Sequence, residues 1–374
     1  MRIGCPKEIK NREYRVGLTP SAVATYVKAG HEVFVERDAG KNAGFPDGEY
    51  KSAGARILGR ASEVWSKAEM LIKVKEPLQD EYKFLRDSQI VYTYFHFAAD
   101  KELTEACLKS GASCVAYELV RESWGLPLLQ PMSEVAGRMS VIMGSYYLGR
   151  TFGGSGILPM GVPGVAPADV LVIGGGTVGV NAARIASGLG ARVTIADVSH
   201  TRLAYLSEVM PSNCVTLYSD STAISAETAK SDLVIGAVLL PGGAKAPKLV
   251  TREHLKSMRQ GSVFVDVAID QGGIAETSRP TSHDDPVFVE EGVVHYCVAN
   301  MPGAYARTST VALSNATIKY GLSLAGKGLA GACKDDAAIR QGLSIHKGAL
   351  TVKAVADTFG MQNIYKEPSD ALGI

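Results

Sequence analysis

Short apolar runs rich in β-branched residues alternate along this chain with stretches that have helical periodicity. Strands are predicted at 2–5, 32–36, 70–75, 90–95 and 114–119. Helices are predicted between them at 20–29 and 101–110, where Thr19 and Asp100 stand at the expected N-cap positions. Alternation of strand and helix favours a parallel sheet with helical crossovers.

A second series of the same kind follows a long helix predicted at 133–150 and a loop rich in glycine and proline at 153–168. Its strands are predicted at 169–173, 192–196, 232–238, 262–267 and 295–298. From about residue 309 the pattern is helical, with a break at 326–331. The sequence therefore predicts two α/β domains and a set of C-terminal helices, which agrees with a length of 374 residues.

Composition and charge restrict the classes of partner and compartment. The formal net charge is +1, so no overall electrostatic field favours nucleic acid or an anionic membrane. The N-terminus is charged from its second residue and lacks the apolar segment of a signal peptide. The longest uncharged run, 151–168, contains several prolines and glycines and does not fit a spanning helix. A soluble, cytoplasmic protein without nucleic-acid or membrane partners is expected.

The six cysteines form no C-x-x-C pair and have no metal-ligand spacing to a histidine. We therefore expect buried thiols in a reducing compartment and no metal site.

A glycine-rich turn between an apolar strand and a helix is the strongest local motif. Gly174 permits the tight turn, Gly176 lets the backbone approach a pyrophosphate, and Gly179 lets the helix pack closely on the strand. Thr177 and Val178 then stand at the helix N-terminus, where free amides and the helix dipole favour an anion. This order of strand, glycines, helix and strand predicts a dinucleotide site.

The strand after this helix ends at Asp197, placed to accept hydrogen bonds from the adenosine ribose hydroxyls. A 2′-phosphate would be repelled by this carboxylate, which favours NAD over NADP. Arg202 leaves the alternative open, because a nearby arginine is able to serve a 2′-phosphate.

Several longer motifs are spread over essentially the whole chain, and with them the sequence resembles the alanine dehydrogenase family, together with the related NAD-binding domain of proton-translocating transhydrogenase. The motifs are PKE at 6–8 with EYRVGLTP at 13–20, KVKEP at 73–77, PMSEVAG at 131–137, GVPGV at 161–165, VDVAIDQGG at 265–273 and VANMP at 298–302.

The resemblance implies an α/β fold of two Rossmann-like domains, with parallel sheets flanking a cleft and C-terminal helices packing back on the first domain. Residues 1–128 and 306–374 would form the substrate domain, and residues 129–305 would form the NAD-binding domain. The implied reaction is the NAD-dependent oxidation of L-alanine, through an imine, to pyruvate and ammonium, and its reverse. The family also implies a homo-oligomer, commonly a hexamer.

Four residues at matching positions are implied to carry the chemistry. Arg15 would bind the substrate carboxylate, and Lys75 would bind the carboxylate or the keto oxygen. His96 would be the general acid and base, and Asp270 would orient water or stabilise the iminium. Without the resemblance, a surface arginine, a solvated lysine, a structural histidine and a capping aspartate are ordinary alternatives.

Tyr94 and Met132 are implied to form the wall around the alanine methyl group. The alignment of Ser219 and of the loop at 240–245 stays open by about one residue. The remaining contacts with the cofactor, taken from the resemblance, are Ser133, Ser219, Val238, Leu239, Val267, Ala268, Ile269, Asp270, Arg279, Val298, Ala299, Asn300 and Met301.

Three other functions remain to be separated from this one. The NAD-binding subunit of a transhydrogenase would pass hydride to NADP on a partner and bind no amino acid. A non-enzymatic NAD-binding module would bind NADH without turnover. A different amino-acid dehydrogenase would prefer glycine or a lysine adduct.

Overall fold

The computed structural model describes residues 1–239 and 245–374, so most of the loop with uncertain alignment lies outside the described residues. The described chain divides into two compact units. The first comprises Met1–Met132 and Gly303–Ile374, and the second comprises Ser133–Pro302.

The elements are numbered along the chain. The strands are β1 Arg2–Cys5, β2 Glu32–Glu36, β3 Arg56–Leu58, β4 Met70–Ile72, β5 Ile90–Thr93, β6 Ser113–Ala116, β7 Asp169–Ile173, β8 Arg192–Asp197, β9 Cys214–Tyr218, β10 Leu233–Gly236, β11 Val263–Asp266, β12 Val287–Glu290, β13 Val293–Tyr296, β14 Leu343–His346 and β15 Ala349–Leu350. The α-helices are α1 Pro20–Lys28, α2 Asp47–Ser52, α3 Ala61–Lys67, α4 Gln79–Tyr82, α5 Lys101–Ser110, α6 Gln130–Tyr147, α7 Thr177–Gly188, α8 His200–Val209, α9 Ser221–Lys230, α10 Arg252–Ser257, α11 Ala306–Asp335, α12 Ala337–Gly342, α13 Lys353–Phe359 and α14 Pro368–Leu372.

The first unit contains an eight-stranded sheet in the order β15-β14-β6-β5-β4-β1-β2-β3. Its strands β1 to β6 are parallel, whereas β14 runs antiparallel to β6 and β15 runs antiparallel to β14. Both faces of the sheet are buried, because Met70 and Ile72 pack in one apolar cluster and Leu71 packs in another.

The C-terminal helix α11 belongs to this first unit. Thr310 Oγ1 accepts a hydrogen bond from the amide of Val16 at 3.2 Å, and Ser314 Oγ accepts one from the amide of Thr19 at 3.3 Å. The helix is kinked at Gly328, which has φ of 69°, within the break predicted at 326–331. The predicted return of the C-terminal helices to the first domain is confirmed.

The second unit contains a seven-stranded sheet in the order β12-β13-β11-β10-β7-β8-β9, parallel except for β12. Successive residues of β7 alternate between two buried clusters, with Val170 and Val172 in one and Leu171 and Ile173 in the other. Helices therefore cover both faces, as in doubly wound folds. The predicted α/β fold class is confirmed.

Several predicted boundaries were wrong by a few residues, and five strands were missed. The strands predicted to end at residues 75, 95 and 119 end at Ile72, Thr93 and Ala116, because the chain there leaves the strand conformation and enters the connections at the sheet edge. The long helix starts and ends three residues earlier than predicted. The missed strands, β3, β9, β12, β14 and β15, are short or partly exposed.

Candidate active site

Five of the residues named from the resemblance lie in the first unit, on connections at the carboxyl edge of its sheet or bonded to one of them. Lys75 follows β4, and Tyr94 and His96 follow the adjacent parallel strand β5. Arg15 lies on the connection between β1 and α1 and bonds to Met132. Ligands of α/β proteins bind at this edge of the sheet.

Arg15 is buried and is held in one orientation by Glu13. Its Nε donates to Glu13 Oε1 at 2.7 Å, and its Nη2 donates to Glu13 Oε2 at 2.5 Å. Its Nη1 donates to Sδ of Met132 at 3.0 Å. Burial lowers the pKa of Arg15, but the Glu13 carboxylate outweighs burial and leaves the pKa above its ordinary value. The guanidinium is charged and fixed, as bidentate recognition of a carboxylate requires.

Lys73 and Lys75 stand two residues apart in opposite environments. The buried Nζ of Lys73 donates to Glu81 Oε1 at 2.9 Å and to Glu8 Oε2 at 3.3 Å. Burial opposes the charge of Lys73, but these carboxylates raise its pKa above the ordinary value. The ammonium of Lys75 makes no hydrogen bond or ion pair to any residue within 1–239 and 245–374, whereas its carbonyl oxygen accepts from the hydroxyl of Thr93 at 2.9 Å. Burial, reinforced by the charge of Arg15, lowers the pKa of Lys75, so an anionic ligand would favour its charged form.

Two apolar groups, Tyr94 and Met132, lie beside the fixed arginine. Tyr94 is 3% exposed, and its hydroxyl donates to the carbonyl oxygen of Leu128. Met132 is 7% exposed and contacts Arg15 through its sulfur. The surroundings of the arginine on this side are therefore buried and largely apolar.

His96 combines an exposed imidazole with an unusual backbone. Its φ of 52° and ψ of 41° are left-handed, a conformation that non-glycine residues seldom adopt. Its side chain is 51% exposed, and its ring stacks on Tyr94 with centroids 5.9 Å apart and planes 7° apart. Strained residues of this kind cluster at functional sites.

The glycine turn of the second unit has the geometry that a pyrophosphate needs. Gly174 has φ of 104°, and a Cβ at Gly179 would lie 1.8 Å from the carbonyl oxygen of Gly174. A Cβ at Gly176 would meet no described atom within 4 Å, and no side-chain hydrogen bond caps α7 there. The amides at Thr177 and Val178 therefore begin a helix whose entrance is sterically open to an anion.

Asp197 and Arg202 both hold the glycine turn. Asp197 Oδ2 accepts from the amide of Gly175 at 2.7 Å, and its Oδ1 accepts from the amide of Ser199 at 2.8 Å. Nε of Arg202 donates to the carbonyl oxygen of Gly175 at 2.6 Å. Arg202, the residue that left NADP as an alternative cofactor, thus binds the glycine turn through its Nε.

The segment that carries Asp270 follows β11 and is a 3₁₀ turn, Ile269–Gln271, in which Ile269 is buried and Asp270 is exposed. The buried carboxylate of Asp266 accepts from the amides of Ala268 at 3.1 Å and Ile274 at 2.8 Å. Nζ of Lys248 donates to the carbonyl oxygens of Gly272, Gly273 and Ala275 at 2.7–2.9 Å. Two opposite charges therefore hold the two ends of this turn.

The other residues named for the cofactor lie at the carboxyl edge of the same sheet, with two exceptions. Ser133 lies on α6, and Arg279 lies on the connection before β12, with its guanidinium 4.1 Å from the Phe288 ring centroid. Asn300 has a left-handed backbone with φ of 64°. The residues that directly follow strands β9, β10, β11 and β13 are Ser219, Val238, Leu239, Val267, Ala268, Ile269, Val298, Ala299, Asn300 and Met301.

Comparison with known proteins adds a family to this geometry. The profile of the alanine dehydrogenase/PNT N-terminal domain matches residues 4–136, and that of the C-terminal domain matches residues 140–353. An alanine dehydrogenase of Halomonas elongata is 52% identical over 374 residues, which are 100% of both chains.

The chain belongs to the alanine dehydrogenase/PNT family. A solved structure named L-alanine dehydrogenase matches with a TM-score of 0.93 at 50% identity, covering 96% of this chain and 99% of that one. A transhydrogenase of Sinorhizobium meliloti matches with a TM-score of 0.81 at 27% identity, covering 95% and 100%. The resemblance inferred from the motifs is confirmed.

Within this alanine dehydrogenase/PNT chain, the residues that orient the named side chains were not predicted from the sequence. They are Glu13, which fixes Arg15, Glu118, which bonds the amide of His96, and Lys248, which holds the Asp270 turn. Glu13 lies within a quoted motif and was detectable from its spacing to Arg15. The other two have no local signal, because their partners are 22 and 24 or more residues away in the chain.

Proposed function

We propose that this chain is an NAD-dependent L-alanine dehydrogenase, which oxidises L-alanine to pyruvate and ammonium and catalyses the reverse reductive amination. One observation carries the proposal: a fixed arginine shares a sheet edge with an exposed histidine and with a lysine whose ammonium has no hydrogen-bond or ion-pair partner among the described residues, beside buried apolar side chains. The proposal is supported by relatives about half identical in sequence that bear the name alanine dehydrogenase.

Arg15 and Lys75 are proposed to bind the two ends of an α-amino or α-keto acid head group. Arg15 would hold the carboxylate, because Glu13 fixes its plane and keeps it charged. Lys75 would meet the carboxylate or the keto oxygen, because its ammonium lacks a partner among the described residues. An ammonium at the keto oxygen would polarise that carbonyl toward attack by ammonia.

Tyr94 and Met132 are proposed to face the methyl group of alanine. Both side chains are almost fully buried, so a longer substrate side chain would need space that they fill. Discrimination by a slot of this kind is modest, about 1–3 kcal/mol per methylene group. Weak activity on other small amino acids is therefore compatible with the proposal.

His96 and Asp270 are proposed to move protons during the reaction. A histidine titrates near neutrality, which suits removal of a proton from the ammonium group or the hydrating water and its return in the reverse direction. The exposure of the imidazole supports this role. Asp270, in the second unit, would orient water or stabilise the positive charge of the iminium.

The second unit is proposed to bind NAD, which when bound supplies the acceptor for the hydride from the substrate Cα. Gly174, Gly176 and Gly179 give an open helix entrance for the pyrophosphate, which supports a dinucleotide. Asp197 would bind the ribose hydroxyls and repel a 2′-phosphate. Because Arg202 donates through its Nε to the turn, the geometry favours NAD over NADP.

The wider organisation is also a proposal. Residues 1–128 and 306–374 would bind the substrate, and residues 129–305 would bind the cofactor. We propose a cytoplasmic homo-oligomer, a hexamer by resemblance. The free cysteines support the proposed compartment, because thiols persist in the reducing cytoplasm. Within residues 1–239 and 245–374, no helix is both long and apolar enough to cross a bilayer.

The decisive experiment incubates the purified protein with NAD and a panel of amino acids and follows NADH absorbance. L-Alanine should give the fastest initial rate. A signal confined to glycine or to larger amino acids would reject L-alanine as the substrate, while the proposal of an amino-acid dehydrogenase would stand. The variant His96→Ala should bind NADH with unchanged affinity and lose most turnover, and retained turnover would remove His96 from proton transfer.

A transhydrogenase subunit is the second candidate, favoured by the 27%-identical transhydrogenase structure. It would show NADH binding without turnover of any amino acid in the same assay. Tight NADH binding with no turnover and no partner-dependent reduction of NADP would instead indicate a non-enzymatic module.

A further inference from the structure

Glu118 lies where the ladder between β5 and β6 ends. Thr93 pairs with Ala116 as the last residues in register, and Glu118 stands in the turn two residues beyond Ala116. The amide of Tyr94 still donates to the carbonyl oxygen of Val74 at 3.3 Å, but the amides of Phe95 and His96 lie beyond the ladder and need other acceptors. Because Phe95 is buried, an amide left without an acceptor there would be costly, so a side chain at this position has a defined task.

The carboxylate of Glu118 fulfils this task for two successive residues. Its Oε1 accepts from the amide of His96 at 2.6 Å and from the amide of Phe95 at 3.2 Å, and its Oε2 lies 3.3 Å from the same Phe95 amide. The Glu118 side chain is 12% exposed, so water competes weakly for these bonds. Hydrogen bonds to a carboxylate are stronger than those to a neutral acceptor.

These bonds fix the one residue of the segment that is strained. His96 is left-handed, with φ of 52°, a conformation that is unfavourable for a residue other than glycine. The rings of Phe95 and Phe97 stack at 4.5 Å within an apolar cluster on either side of it, and the imidazole is left exposed. Strain of this kind persists only where the surroundings over-determine the conformation.

The imidazole is constrained as well as the backbone. Its ring stacks on Tyr94, and Tyr94 is itself held by its hydrogen bond to Leu128 and by the edge of Tyr117 at 5.0 Å. The Nδ1 atom of His96 lies 4.0 Å from Glu118 Oε1, outside hydrogen-bond distance. The carboxylate therefore acts on His96 mainly through its amide.

We propose that Glu118 is the positioning residue of His96: its carboxylate replaces the missing ladder partner, holds His96 in the left-handed conformation and so presents the imidazole beside Tyr94 for proton transfer. This inference rests on the proposed role of His96 as acid and base. Glu118 itself would not touch the substrate.

The test compares Glu118→Ala with Glu118→Gln. The glutamine keeps an oxygen that accepts the His96 amide, whereas the alanine leaves it without an acceptor. We expect Glu118→Ala to lower kcat by about 10- to 100-fold, a loss that a displacement of about 1 Å produces. KM for L-alanine should change by less than about threefold, because Arg15, which holds the substrate carboxylate, is fixed by Glu13 and not by Glu118. Glu118→Gln should restore kcat to within a few-fold of the native chain.

A double-mutant cycle with His96→Ala tests whether Glu118 acts through His96. In the His96→Ala background, Glu118→Ala should lower turnover no further. Additive losses, equal losses in the alanine and glutamine variants, or an unchanged kcat in Glu118→Ala would each overturn the proposal.

A chemical readout separates this proposal from the proposed function. The rate at which diethyl pyrocarbonate modifies His96, measured by mass spectrometry of its peptide, reports the placement of the imidazole without any turnover. Glu118→Ala should change this rate at least severalfold, and Glu118→Gln should leave it near the native value. If His96→Ala keeps full turnover but this pattern holds, the proposed role of His96 fails and the positioning by Glu118 stands. An unchanged rate in Glu118→Ala overturns the positioning.

Discussion

Lys73 and Lys75 show at the scale of single residues how one segment serves both stability and binding. Lys73 is neutralised by two buried carboxylates, whereas Lys75 has no such partner among the described residues. Removing one partner of a buried ion pair, such as Lys73, strongly destabilises the folded protein. Removing a buried charge that has no such partner, as at Lys75, breaks no ion pair and should affect ligand binding instead. The two lysines therefore form a matched pair for mutation.

We predict that Lys75→Met raises KM for alanine and pyruvate or abolishes turnover, while the unfolding midpoint stays within a few degrees of the native value. Lys73→Met should instead lower the free energy of unfolding by about 3–5 kcal/mol, because Glu8 and Glu81 then face each other without a cation. Steady-state kinetics and urea denaturation measure the two effects. Equal effects of the two substitutions on stability would contradict the assignment.

Glu8 gives the same cluster a pH dependence. Burial raises the pKa of Glu8 to about 7, from an ordinary value of 4.5, despite the attraction of Lys73. Between these two values the folded protein retains a proton that the unfolded chain has released. The contribution of Glu8 to stability is therefore complete below pH 4.5 and is lost as the pH rises through about 7.

The substitution Glu8→Gln should remove this dependence. In the native chain Glu8 accepts a hydrogen bond from the amide of Val74 at 2.7 Å. Glutamine keeps an oxygen that is able to accept this bond, and its side chain does not ionise. The native chain should lose more stability than Glu8→Gln between about pH 5 and about pH 8, measured by urea denaturation. Parallel stability curves for the two proteins would show that Glu8 does not titrate in this range.

How far the sequence predicts single residues depends on the distance to their partners. The motifs located Arg15, Lys75, His96 and Asp270, because each lies in a run of recognisable residues. The left-handed backbone of His96 and its bond to Glu118 were not predictable. The pattern of a strand does not show which side chain will accept hydrogen bonds from the amides beyond the end of that strand. The sequence likewise did not distinguish Lys75, whose ammonium has no bonding partner among the described residues, from Lys73, which is paired with two carboxylates.

At the scale of elements, the packing of α7 on β7 depends on one glycine. A Cβ at Gly179 would lie 1.8 Å from the carbonyl oxygen of Gly174, whereas a Cβ at Gly188 in the same helix would meet no described atom within 4 Å. Gly179→Ala must therefore displace the helix from the turn.

We predict that Gly179→Ala weakens NADH binding by at least tenfold and lowers the unfolding midpoint, whereas Gly188→Ala leaves binding unchanged and stabilises the helix by up to about 1 kcal/mol. Fluorescence titration with NADH and thermal unfolding measure the two properties. Native NADH affinity in Gly179→Ala would exclude the glycine turn as the cofactor site.

The turn that carries Asp270 depends in the same way on Lys248, whose ammonium bonds three carbonyl oxygens. Lys248→Met keeps the length of the side chain and removes all three donors. We predict a fall in kcat of about tenfold, because Asp270 loses its fixed position. Lys245→Met, which alters an exposed lysine three residues earlier, is the control and should be neutral. A neutral Lys248→Met would show that Asp266 alone holds the turn.

Element types were predicted well where periodicity was strong, as in β1, β2, β7 and α5, whose bounds match the predictions. The N-caps at Thr19 and Asp100 were also correct, since each accepts the expected amide hydrogen bond. The strands β14 and β15 were hidden inside a helical tail because they add to a sheet whose other strands lie more than two hundred residues earlier. Long-range pairing of this kind has no local pattern.

At the scale of the whole molecule, the exposed apolar side chains on α6 and in the loop after it bear on the proposed homo-oligomer. They lie within the second unit, where the rings of Tyr146 and Phe152 stack with centroids 4.1 Å apart. Large exposed apolar patches are typical of interaction surfaces. The exposed side chains are Ile142, Tyr146, Phe152, Leu158, Met160, Val162 and Val165.

We predict that Ile142→Glu dissociates the proposed homo-oligomer into smaller species, because a carboxylate would be buried at the contact. Val289→Glu, at a residue 62% exposed on β12 of the same unit, is the control and should keep the native mass. Light scattering after size-exclusion chromatography measures both. An unchanged mass for Ile142→Glu would exclude this surface from the contact.

The sheet of the first unit also sets the order in which the chain is able to fold on the ribosome. Strand β14 covers one side of the buried strand β6, and β14 begins at residue 343, after the entire second unit has been synthesised. Throughout that interval the nascent chain carries an open, apolar sheet edge, which is the type of edge that recruits foreign strands. The sheet of this unit is therefore completed only after β15 has been synthesised, and a factor that shields the open edge until then would protect the nascent chain from aggregation.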